Sequence, residues 1–100
     1  MFIHTVYFWF NEGTPEAARK QLVEDCYKYL KAIPTVRQIY AGPPAMTPRE
    51  VVDNSYQVGL TVILDDSPGH DVYQKHELHM DFIVRNKAHW KRVQVYDFFA

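Results

Sequence analysis

Cysteine is nearly absent from this 100-residue sequence: Cys26 is the only one. No disulfide can close within the chain, and no cysteine-built zinc site or iron–sulfur cluster is possible. A lone thiol of this kind is expected to serve as a small apolar core residue. Glycine is also scarce, at four, and no glycine-rich phosphate loop or G-x-S-x-G elbow occurs. Neither sign of charge dominates. Eleven Lys and Arg against twelve Asp and Glu give a net charge of -1, which excludes a nucleic-acid binder working through bulk charge. No apolar run approaches the ~20 residues that span a bilayer. The first residues, Met1-Phe2-Ile3-His4, carry no basic leader, so no secretory signal, no membrane partner and a cytoplasmic location are expected.

Rings are what the sequence has in plenty: seven Tyr, six Phe and two Trp, or 15% aromatic residues. Residues 2–10, FIHTVYFWF, are aromatic and β-branched and read as a strand. Period two places Phe2, His4, Val6, Phe8 and Phe10 on one face and Ile3, Thr5, Tyr7 and Trp9 on the other. Thr14-Pro15 reads as an N-cap and first helical position. Ala18, Leu22, Cys26, Tyr29, Leu30 and Ile33 then follow helical spacing over about five turns, with Asp25 among the polar residues opposite, until Pro34 stops the helix. Residues 36–41 and 56–64 read as strands, separated by the proline-rich stretch 42–55. Gly59 marks a bulge or a close backbone approach. Ser67-Pro68 reads as a second N-cap and helix start, with one helix running to about 85–87 and a closing strand over 91–99.

The order β-α-β-β-α-β is a split βαβ plan. It predicts a single α+β domain over residues 1–100, an antiparallel sheet with both helices on one face. The other face, with Tyr7, Trp9, Tyr96 and Phe98, is too apolar to stay wet, so a second copy of the chain is expected to cover it and close a barrel.

Five histidines is a high count for this length. His76 and His79 are three apart and, on one helix, share a face with Tyr73. His4 sits on the strand face of Val6 and Phe8, so His4, Tyr73, His76 and His79 are expected to converge between sheet and helices. Three readings stay open: histidines that brace the helix, acid–base catalysis with a tyrosine donor, and a metal set completed by His4 or Glu77. His76-Glu77-Leu78-His79 is one residue too short for the zinc-protease H-E-x-x-H. No metal or other cofactor is called for. Trp90, within a short basic stretch, is expected under the sheet.

His4 with its alternating strand, Ile33-Pro34, the run Tyr73 to His79 followed by Phe82, and the final Val93-Gln94-Val95-Tyr96-Asp97-Phe98 resemble the stress-responsive A/B-barrel domain family, also called Dabb, over nearly the whole chain. The family's helix signature H-P-x-H-x-x-F reads here His76-Glu77-Leu78-His79-Met80-Asp81-Phe82, with Glu77 in place of proline. The resemblance implies a ferredoxin-like subunit and a dimeric α+β barrel, in some members assembled further. It leaves the biochemical role undefined, since many members have none assigned. One plant member is a cofactor-independent polyketide cyclase. By that match His79 would be the catalytic base, Tyr73 its assistant and His4 a pocket histidine, while a further pocket histidine is replaced by Val58. The expected pocket holds a small apolar carbonyl or phenolic ligand, with Val6, Phe8, Leu22, Cys26, Val58, Leu60, Val62, His76 and Phe82 as walls. The competing class is a non-enzymatic assembly or binding module. Cavity volume near His79 separates the two.

Overall fold

A computed structural model describes residues 1–100. Four strands form one sheet: β1 (Phe2–Phe10), β2 (Val36–Gly42), β3 (Val58–Leu64) and β4 (Trp90–Phe99). Their order is β2-β3-β1-β4 and every neighbouring pair is antiparallel. Helices α1 (Glu16–Asp25), α2 (Ser67–Lys75) and α3 (Glu77–Asn86) connect them. This is the expected βαββαβ plan with one helix divided.

The alternation in β1 sets the layers. Phe2, Val6, Phe8 and Phe10 enter the hydrophobic core with Leu22, Cys26 and Leu30 from the first helical segment and Val58, Leu60, Val62 and Leu64 from β3. Full burial of a leucine such as Leu22 or Leu64 contributes about 1.5–3 kcal/mol. Cys26 is a free, buried thiol, and burial among apolar groups, with Asp25 beside it, pushes its pKa up to about 12. It is a core residue and no nucleophile.

Helix starts depart from the sequence reading by one residue. Pro15, not Thr14, is the N-cap of α1 and makes no side-chain cap. Asp66, not Ser67, caps α2, accepting from the Gly69 N–H at 2.8 Å. The first helix is also not one regular coil. After Asp25 it continues as a π-helical turn over Cys26–Leu30. Asp25 is buried rather than solvated. It accepts from Arg85 Nε at 2.8 Å and Asn86 Nδ2 at 2.9 Å, and Asn86 also donates to the Phe82 carbonyl at 2.9 Å. These bonds tie the end of α1 to the end of α3.

The largest correction falls at His76. The expected single second helix breaks there: His76 is extended (φ -64°, ψ 144°), ending α2 and capping α3, its Nδ1 accepting from the Leu78 N–H at 3.1 Å. His76 and His79 therefore do not share a helix face. Glu77 occupies the first position of α3, where proline is favoured for its fixed φ and a carboxylate for the positive helix end. The break survives without proline because the His76 ring supplies the cap.

The stretch between β2 and β3 folds back over the outer side of β1. Gln57 N–H donates to the Phe8 carbonyl, its side-chain oxygen accepts from Phe10 N–H, and Trp9 Nε1 donates to Ser55 Oγ at 2.9 Å. Tyr56 lies against Tyr7, ring centres 4.7 Å apart. A Cβ at Gly59 would stand 3.4–3.6 Å from these two rings, so this glycine marks a close approach and not a bulge. Outward rings stay uncovered at the far edge: Tyr96 and Phe98 are 60% and 56% exposed.

Candidate functional site

The helices lie over the β3 side of the sheet and leave the inner face of β4 open. Val93 and Val95 are exposed there although they point to the core side of the sheet. A cavity of about 350 Å³ occupies the gap. Val6, Phe8, Leu60, Phe82, Ile83, Trp90, Val93 and Val95 make its apolar wall, and His4, Tyr73, Gln74, His79 and Asp97 its polar part. Trp90 seals one side, its ring 4.8 Å from Phe8 and 6.1 Å from Phe82.

Sheet register positions the polar end. His4 on β1 faces Asp97 on β4, and His4 Nδ1 lies 2.7 Å from Asp97 Oδ1. A carboxylate acceptor there holds the proton on Nδ1 and leaves Nε2 as the free acceptor. Tyr73, in the last turns of α2, is 1% exposed. Burial pushes its phenol well above the usual tyrosine range, so it is a protonated donor at neutral pH. His79, in the first turn of α3, meets Tyr73 edge to face at 4.8 Å. Burial first, and the nearby His4 and His70 second, hold His79 below the ordinary histidine value. Its imidazole is neutral at pH 7 and able to accept a proton.

His79 Nδ1 is buried without a hydrogen-bond partner in the protein, and so is Trp90 Nε1. Buried polar atoms are nearly always paired. Both exceptions in this chain belong to residues that line the same cavity.

The cavity gathers His4, Tyr73, His79, Val6, Phe8, Leu60 and Phe82 from the expected set. Leu22, Cys26, Val58 and Val62 lie elsewhere, at no more than 1% exposure in the closed core beneath α1. The gap opens over β4, which no helix covers, and not over β3. His76 is spent on capping α3. Reasoning from sequence alone overlooked His70, buried between β1 and α2 with its ring stacked on Phe2 at 4.3 Å and 4.7 Å from His4. Desolvation, with His4 adding to it, lowers its pKa against the pull of Asp97 and Asp71. Gln74, Ile83, Trp90, Val93, Val95 and Asp97 were also not in the expected wall. For Asp97 a signal existed, because it shares the alternation of Val93 and Val95.

A four-stranded antiparallel sheet, helices on one face and an amphiphilic cavity at the uncovered strand define a ferredoxin-like domain with a small-molecule-sized site. The family model described as "Stress responsive A/B Barrel Domain" matches residues 2–100, and the chain belongs to that family. Solved structures share the fold. A Dabb family protein from Mesorhizobium loti is 22% identical with a TM-score of 0.79, covering 99% of this chain and 95% of that one. A dimeric ferredoxin-like protein of unknown function from Thermobifida fusca is 18% identical, TM-score 0.84, covering 99% and 90%. A hydroxynitrile lyase from Passiflora edulis is 9% identical, TM-score 0.82, covering 99% and 92%. Among curated proteins none matches the chain. No helix is long and apolar enough to cross a membrane.

Proposed function

We propose that each subunit binds a small molecule with an apolar body and a carbonyl or phenol head, and that His79 and Tyr73 carry out proton transfer beside the carbonyl without a cofactor. The observation that carries this reading is the pair of unpartnered polar atoms, on His79 and Trp90, at one amphiphilic cavity. A turn of either ring that brings its enclosed nitrogen to the cavity surface would let a ligand oxygen supply the missing partner. In the reaction, neutral His79 takes a proton from the carbon next to the carbonyl. The C–H electron pair forms the C=C bond of the enolate, the carbonyl π pair moves onto oxygen, and the Tyr73 phenol donates to that oxygen. His4, oriented by Asp97, completes the polar end. The enolate then regains a proton or attacks a second carbonyl, as in a cyclase or lyase. A hydroxynitrile lyase built on the same fold supports reading the cavity as reactive.

The most general test needs no known substrate. In D₂O the protein should catalyse exchange of the α-protons of an aryl methyl ketone, followed by proton NMR. His79→Ala should slow that exchange by roughly 10²–10⁴, the usual worth of a general base. Equal exchange in both proteins would contradict the assignment, and no exchange in either would favour a binding or assembly module.

The proposal places two copies face to face across the outer sheet, with the exposed Tyr96 and Phe98 between them and Tyr7 and Trp9 behind, already covered in part by Tyr56, in a reducing cytoplasm that suits the single buried thiol. Sedimentation should give a dimer at micromolar concentration, and Tyr96→Asp with Phe98→Asp a folded monomer. A wild-type chain that sediments as one well-folded subunit would contradict the closed barrel.

A further inference from the structure

The sequence offered His4, His76 and His79 as a possible metal set, but the fold brings a different trio together. One ring nitrogen each of His4 and His70 and a carboxylate oxygen of Asp97 all lie within 4.8 Å of one another. His4 and Asp97 form a cross-strand pair in register. His70 comes down from α2, fixed by its stack on Phe2. Both imidazoles are buried, whereas the Asp97 side chain is 36% exposed. The Gln74 amide, one helical turn beyond His70, lies 3.0 Å from its Nδ1 and 2.9 Å from its Nε2, and swings aside to free the nitrogen that takes the ion.

We propose that His4, His70 and Asp97 form a binding site for a divalent cation of the zinc class, distinct from the acid–base reading of the cavity. Two imidazoles and a carboxylate are the donor set of borderline first-row ions. Magnesium and calcium favour all-oxygen shells. Tetrahedral donors with bonds of about 2.0–2.2 Å stand about 3.4 Å apart. To close the trio His70 therefore approaches the pair by up to about 1.4 Å, and the His4–Asp97 contact, now 2.7 Å, opens by about 0.7 Å. Three protein ligands leave a position open, and because His4 and Asp97 also line the cavity, that position falls at its polar end. The ion takes the place of the proton that His4 and Asp97 share.

Cobalt(II) serves as the probe, since its visible absorption reports both binding and geometry. Dialysis of the full chain against Co²⁺ should leave one ion per subunit, with the intense bands of a four- or five-coordinate site. Asp97→Asn and His70→Gln should each weaken binding by more than about tenfold. His89→Gln, outside the trio, should bind as the wild type does. Absence of Co²⁺ from the dialysed wild type overturns the proposal, as does binding that persists in both trio variants. Should His70→Gln fail to fold, Asp97→Asn decides alone, because its side chain lies at the uncovered edge strand. His79→Ala should keep full Co²⁺ binding, so failure of the proton-transfer reading and failure of the metal site remain distinguishable.

Discussion

Two polar clusters lie at the two ends of α3 and behave differently. At Asp25, Arg85 and Asn86 the donors and acceptors are matched: the carboxylate accepts from both partners, and Asn86 also holds the Phe82 carbonyl. Around His4, Tyr73 and His79 the matching is incomplete: Asp97 holds His4, but His79 keeps a buried nitrogen without a partner. A satisfied network rigidifies its surroundings, and an unsatisfied one reserves its bonding capacity for something else. The first cluster therefore reads as a clasp between α1 and α3, the second as a site.

Substitutions should separate the two. His79→Ala should abolish catalysed exchange while the melting temperature stays near that of the wild type or rises, because a buried unpaired group is removed. Asn86→Ala should do the reverse. It strips a buried partner from Asp25 and is expected to lower stability by about 1–3 kcal/mol. At about 4–8 °C per kcal/mol for a domain of this size, a thermal melt will detect it. Ligand binding at the cavity should persist. Destabilisation by His79→Ala comparable to Asn86→Ala would erase the distinction and return His79 to the role of a structural brace.

The smallest expected effect is on pH dependence. His70 and His79 both have lowered folded-state pKa values, so the unfolded chain binds their protons first. Stability should be full above the ordinary histidine value of about 6.5 and fall as pH drops below it. Urea unfolding at pH 7.5 and 5.5 measures the slope. Removing both rings, as His70→Gln with His79→Ala, should flatten it. An unchanged slope would locate the acid sensitivity elsewhere.

Much of the fold was legible because it follows from local pattern. Alternation in residues 2–10 assigned the faces of β1 correctly, His4 inward with Phe8 and Tyr7 outward, and Pro15 and Pro68 marked the helix starts to within one residue. What was not legible depends on distant partners. Asp25 looked solvated on its own helix and is buried only because Arg85 and Asn86, 60 and 61 residues away, reach it. His70 sat in an unremarkable polar helix start, and it matters only because Phe2 and His4 lie beneath it. The break at His76 had no proline at position 77 to announce it. Misreading it put His76 in the site and hid that α3 presents His79 from its own first turn. The cavity was placed too deep, under α1, because no local pattern reveals which strand the helices leave bare.

Whether His79 holds its free bonding capacity for a ligand oxygen can be read by ¹⁵N NMR of the histidine side chains during titration with a phenolic ketone. The ring nitrogens of His79 and His4 should shift and saturate together while those of His76 and His89 stay in place. Saturable shifts confined to His76 or His89, or a His79 signal unmoved by a fragment that binds, would contradict it.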